Sequence, residues 1–334
     1  MKKKIILVTL CCMLLGMSAC GDDGKTESFS GEPISATESS NEGQNQNVND
    51  NQGQAGSENG NQTTGGNSSE LKVQEFFTDG VEASDFEHDY DAELQTGIDA
   101  IAASSASVQE ELTAVTRIAE QFDKLAQAAN TQFEMNVSAQ WFYVIWDKEL
   151  NSLWSRISSQ ADAQTKERLL SEQRNWVSMK EEVTLEYVGN SEEGGSMYPM
   201  QQYGFWEDIT RNRVYILANE FSKIKGESFV MPERTSKYGV YVDNQGTGSV
   251  YGSLITRKGW EGDDEAVISI YRVGVFEGTF TEKGNGKYEF STYDKEIQGT
   301  IQMNGWEGAS FEVTRAQNDG IISVGDVFEF NFAY

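Results

Sequence analysis

The run WFYVIWDKELNSLWSRI, residues 141–157, decides how the first half of this chain folds. Phe142, Trp146, Leu150, Leu153 and Ile157 recur at steps of three and four, which places them along one face of an α-helix. Working outward, Leu169, Trp176 and Val183 make a second stripe at seven-residue spacing, with Asp162 placed to cap the start of its helix. Ile209, Arg213, Ile216, Leu217 and Phe221 make a third, and residues 110–129 read as another helix. Stripes of this kind are buried by packing helices around one core, so residues 71–226 are expected to form an antiparallel helical bundle. Gly194, Gly195 and Pro199 interrupt the pattern, and 189–203 is expected to be an exposed loop.

Beyond Pro232 the period changes from helical to alternating. Val267, Ser269, Tyr271 and Val273 alternate with other residues, as do Tyr288, Phe290 and Thr292, and then Phe328, Phe330 and Phe332. Gly284-Asn285-Gly286, Asn304-Gly305 and Asp319-Gly320 supply turns between them. Residues 234–334 therefore predict a small antiparallel β-barrel or sandwich with its own core, and the whole chain a segregated α+β fold. A local repeat runs through this half. Gly252-Ser253-Leu254 precedes Gly259-Trp260-Glu261-Gly262, and Gly299-Thr300-Ile301 precedes Gly305-Trp306-Glu307-Gly308, as two hairpins built alike would require.

The N-terminal part reads as export and tethering. Lys2, Lys3 and Lys4 precede an apolar run at 5–15, too short to span a bilayer, for which about 20 residues are needed. Ser18 and Ala19 then lead into Cys20. A small-residue cleavage site set against a cysteine resembles the lipobox of bacterial lipoproteins, with Met17 where Leu is usual. The resemblance implies a signal peptide at 1–19, a diacylglyceryl anchor on Cys20 and a place on the extracytoplasmic face of the cell membrane. Residues 20–70, rich in Asn, Gln, Gly and Ser, bury too little apolar surface to order themselves and are expected to be a flexible spacer.

Charge and cysteine usage bound the chemistry. The chain holds 26 basic and 53 acidic residues, net −27, and removing the three lysines of the signal segment takes it to −30. Such a surface repels nucleic acid and anionic headgroups and attracts basic partners. Cys11 and Cys12 lie in the apolar run, so with Cys20 lipidated no thiol remains for a nucleophile, a redox pair or a thiolate zinc site. One histidine, His88, sits among acids and is expected in a surface salt link. Asp263-Asp264-Glu265 is expected at a solvated hairpin tip rather than on calcium. No catalytic residue, metal or cofactor is expected, and the protein is read as non-enzymatic.

The helical half carries a further resemblance. Thr131-Gln132 and Glu134-Met135-Asn136, then Asp147, Glu149-Leu150-Asn151 and Trp154, then Leu169, Gln173-Arg174 and Trp176, then Gly194-Gly195-Ser196 with Thr210, Arg211 and Arg213, resemble the lysozyme inhibitor LprI-like N-terminal domain over residues 122–221. Most of these are expected to be structural: Trp154 and Trp176 filling the core, Asn151 and Gln173 bonding across helices. Family members often carry a disulfide joining positions that here are Ser138 and the vicinity of Val183 or Thr184, so that link is missing. The resemblance implies a surface lipoprotein that meets lysozyme or another basic cell-wall hydrolase. The alternative is an envelope module that binds cell-wall glycan, with Trp260 and Trp306 as candidate ligand-facing side chains. Both tryptophans also fit packing into the barrel core.

Overall fold

The computed structural model describes residues 71–259, 262–317 and 322–334. Helices α1 (Asp91–Ser104), α2 (Val108–Ala128), α3 (Gln132–Gln160), α4 (Ala163–Val188), α5 (Ser191–Gly194) and α6 (Tyr198–Lys225) come first. Their starts follow local chemistry. Ser107 accepts from Glu110 N, Thr131 and Glu134 form a reciprocal capping box, and Asp162 accepts from Gln164 N and Thr165 N. Gly226 at φ 71° ends α6 in the left-handed region that favours glycine. The expected loop at 189–203 is shorter than read, because α6 begins at Tyr198 with Pro199 in its first turn. Proline costs nothing there, since its missing N–H would have had no partner in the helix. Helices α3 and α6 pack along each other, and Phe122, Trp146, Leu150, Leu153, Leu217 and Phe221 fill the core between the helices.

Strands β1 (Gly239–Asp243), β2 (Gly252–Lys258), β3 (Asp264–Ile270), β4 (Gly274–Gly284), β5 (Lys287–Thr292), β6 (Ile297–Met303) and β7 (Ala309–Ala316) each pair antiparallel with the next. The final stretch breaks at Asn331. Its first half, β8 (Val327–Phe330), pairs with β7, and its second, β9 (Phe332–Ala333), pairs with β1. The nine strands thus form one nearly closed barrel rather than a sandwich. Its interior is filled by side chains, among them Leu254, Ile268, Phe290, Ile301, Phe311 and Phe330. The alternation read through Tyr271 and Val273 ends early, at Ile270. Arg272, at φ 60°, turns the chain into β4, and Tyr271 is exposed.

The repeat glycines have a steric reason. A Cβ on Gly252 would stand 2.8 Å from Ser269 O across the β2–β3 pair. One on Gly299 would collide with Glu312 O and with the Phe311 ring across the β6–β7 pair. Both hairpins need a side-chain-free position where the neighbouring strand closes in. Gly299→Ala is expected to cost about 1–3 kcal/mol by overpacking, read as a lower urea midpoint at an unchanged m value. An unchanged midpoint would show that β7 moves aside freely.

The two cores adjoin along β1. On β1 the alternation serves both: Tyr241 faces the barrel interior, while Val240 and Val242 join Ile255 and Tyr334 in the helical core. Tyr334 anchors the junction. Its N–H donates to Val240 O (3.0 Å), its hydroxyl donates to Trp176 O (2.8 Å), and its ring stacks on Trp176 at 6.1 Å. Asn212 Nδ2 donates to Tyr334 O at 3.0 Å, and Arg257 Nη1 to Tyr187 O at 2.9 Å.

Candidate interaction site

The motif residues fall into a frame and a tip. In the frame, Leu150, Trp154 and Trp176 are buried in the helical core. Gln173 on α4 accepts from Arg213 Nε on α6 at 2.7 Å, both buried, so this amide does bond across helices. Asn151 donates its amide back along α3, to Asp147 O (2.9 Å) and Asp147 Oδ2 (3.1 Å). This pairing with a residue four positions earlier on the same helix is one the stripe pattern does not reveal.

Asp147 belongs to a polar pocket that sequence reasoning missed. Lys180 Nζ on α4 stands 4.7 Å from the Tyr143 ring centre and 4.4 Å from that of Trp206, and it donates to Tyr143 Oη at 3.3 Å. Burial pulls the Lys180 ammonium down to about 8, against the attraction of Asp147. Burial also holds the Asp147 carboxyl above its ordinary range. Trp206 is fixed in turn by its Nε1–H bond to Thr184 Oγ1 at 2.9 Å. Ser138 and Thr184, at or near the positions where the resemblance implies a disulfide, are both buried hydroxyls bonded to helix carbonyls four residues back, and Val183 beside Thr184 is buried in the core. Side-chain packing and backbone hydrogen bonds thus take over at the two positions.

The tip is where Met135 and Asn136 lie. Asn136 accepts from Gln132 Nε2 at 2.9 Å and donates to Ser196 O at 3.1 Å, tying the first turn of α3 to the connection between α4 and α6. That connection is acidic: residues 181–197 hold five glutamates and no lysine or arginine. Glu181, Glu182 and Glu186 occupy the last turns of α4, at the negative end of the helix dipole, where the final turn has no basic residue. Glu192 and Glu193 follow, exposed on α5. Apolar side chains stand among the acids. Phe133 is 60% exposed, Leu185 56%, and Met135 and Met197 are exposed too. Glu181, Glu182 and Glu186 thus run against the α4 dipole, whereas Glu192 and Glu193 sit favourably in the first turn of α5; with the bare apolar side chains the five make one acidic, partly apolar surface.

Elsewhere the expected chemistry resolves differently. His88 Nε2 stands 3.0 Å from Glu93 Oε2 at the surface. Asp264 is not a solvated tip: it opens β3, accepts from Tyr238 Oη at 2.6 Å, and pairs with Lys237 at 2.5 Å, contacts that lower its carboxyl. Trp306 packs in neither core. It is half-buried at the junction, its Nε1–H donating to Pro232 O at 2.8 Å. Cys20 and Trp260 lie outside the described residues, as do Asp319 and Gly320 of an expected turn.

Neither the curated proteins nor the solved structures contain a match to this chain. A family model, described as lysozyme inhibitor LprI, matches residues 123–217, from the end of α2 through most of α6. The helical half of this protein therefore carries a lysozyme inhibitor LprI-like domain, and the acidic tip lies inside it.

Proposed function

We propose that this protein is a membrane-anchored, non-enzymatic lipoprotein of the extracytoplasmic face, whose helical domain binds and inhibits lysozyme or another basic cell-wall hydrolase. The acidic tip at 181–197, within the LprI-like domain, is the observation that carries this reading. Its carboxylates steer a cationic enzyme inward, and Phe133, Met135, Leu185 and Met197 supply the apolar contact that holds it. Anchoring rests on the sequence around Cys20. Among the described residues no helix is long and apolar enough to cross a membrane. Loss of fatty-acid labelling in Cys20→Ala tests the anchor, and label persisting in that variant would refute it.

The test of inhibition separates attraction from function. Binding of the protein to lysozyme is followed by surface plasmon resonance while turnover of cell walls is measured in parallel. Glu192→Lys with Glu193→Lys should slow association about tenfold at low salt, and physiological salt should slow the unaltered protein by a similar factor. Dissociation should change less, because it depends on the apolar contacts. Binding that leaves turnover intact would reduce the interaction to charge attraction and overturn the inhibitor reading.

A further inference from the structure

A cleft of about 470 Å³ lies between α6, the 232–239 linker and the β6–β7 hairpin. Its size falls in the range of small-molecule sites, about 300–1,000 Å³. Two pairs of rings border it. Tyr187 and Phe205 stack nearly parallel at 4.4 Å, and Tyr215 meets Trp306 at 6.3 Å and 62°. Between them stand polar groups: Asp208 exposed on α6, Asn212 one turn on, and Arg234 on the linker. The Arg234 guanidinium lies 5.0 Å from the Trp306 ring centre, and its Nη2 donates to Tyr334 O at 2.9 Å. Its Nη1 is buried and has no hydrogen-bond partner among the described residues. Buried donors in folded proteins are nearly always satisfied, so this N–H at the cleft wall is suited to an acceptor on a ligand.

We infer that this cleft is a saccharide site, taking one or two pyranose rings that carry a carboxylate or N-acyl oxygen for Arg234. Aromatic walls pack against the apolar C–H faces of a sugar ring, and Asp208 and Asn212 offer the hydrogen-bonding groups that ring hydroxyls need. A chain of phosphates fits poorly. Arg211 is already held by Glu207 and Asp208 at 2.5 and 2.6 Å, which leaves one guanidinium for one acceptor, with Glu233 nearby. A purely apolar ligand would leave those polar groups unanswered. The inference is independent of the proposed inhibition of lysozyme, and its test contains no lysozyme.

The full chain is titrated by calorimetry with muramyl dipeptide, with N,N′-diacetylchitobiose and with maltose. These probes carry a carboxylate plus an N-acyl group, an N-acyl group alone, and neither. Saturable binding of at least one of the first two, with maltose at least about tenfold weaker, is expected. Asp208→Asn and Arg234→Lys should each weaken it about tenfold. Asp208 is exposed, so its substitution leaves the fold intact, and a thermal melt of each variant checks this. The inference is overturned by absence of saturable binding to any probe up to about 10 mM, well above a 1 mM Kd, or by equal binding of all three. It is also overturned by binding that survives Asp208→Asn unchanged.

Discussion

Arg156→Met should lower the stability of the protein by about 3–5 kcal/mol, measured by urea unfolding at pH 7.5. Arg156 on α3 holds the Glu111 carboxylate of α2 through both of its terminal nitrogens, and Glu111 is 2% exposed. Glu149, two turns earlier on α3, is fully buried; its nearer oxygen stands 3.7 Å from the guanidinium, and neither oxygen has a hydrogen-bond partner among the described residues. One cation thus answers two buried carboxyls. Burial and the Glu111 charge push the Glu149 carboxyl well above its ordinary 4.5. The folded state therefore binds the Glu149 proton more tightly than the unfolded chain does. Stability from this group is full below pH 4.5 and falls as pH rises toward the folded value, by up to about 1.4 kcal/mol per unit. Glu149→Gln removes that loss, so it should leave stability near pH 4 unchanged and raise it at pH 7.5. Arg156→Met steepens the loss, because Glu149 then holds its proton harder without the neighbouring guanidinium. Equal destabilisation by Glu149→Gln at both pH values would show that the carboxylate itself is required.

Tyr334→Ala should cost a further large amount, about 3–5 kcal/mol, the range for deleting a buried aromatic ring. The ring fills space against Trp176 and Phe332, and its hydroxyl satisfies a carbonyl of α4. Tyr334→Phe keeps the ring and loses the hydrogen bond, at about 1–2 kcal/mol. The alanine variant has a second signature. Because Tyr334 belongs to the helical core while its backbone extends the barrel sheet at Val240, its loss uncouples the halves. Helical circular dichroism and tryptophan fluorescence should then report separate transitions where the unaltered protein shows one. A single coincident transition in Tyr334→Ala would mean that Val240, Val242 and Ile255 suffice to join them.

Both predictions concern groups that pattern reading passed over, and the reason is physical. Periodicity reports which faces are apolar, and on that basis the helices around residues 141–157, the Asp162 cap and the strand alternation at 288–292 were legible. It does not report polar side chains that fold into an apolar face. Glu149 lies among Trp146, Leu150 and Leu153, and only the spatial arrival of Arg156 and Glu111 explains its burial. The choice between barrel and sandwich hung on where the last strand pairs, which is a long-range fact. The junction was hidden for a similar reason, since β1 is buried on both faces and its alternation separates two cores instead of core from water. The acidic tip was legible as charge, but its link to Met135 and Asn136 needed the contact between Asn136 and Ser196. Lys180 gave no signal, because a lysine in a polar helix looks the same whether it reaches water or two aromatic rings.

The break at Asn331 also sets a timetable. Helices assemble from near neighbours in sequence and form quickly, whereas joining β9 to β1 ties the first stave of the barrel to its last and must await every turn between them. Until then β1 and β7 each present an open edge able to pair with another chain. In the folded protein the helical surface around Trp176 offers Tyr334 a berth. The segment at residues 327–334 that closes the barrel is thus the same one that docks on the helices, so one stretch of chain covers both the last strand edges and the junction.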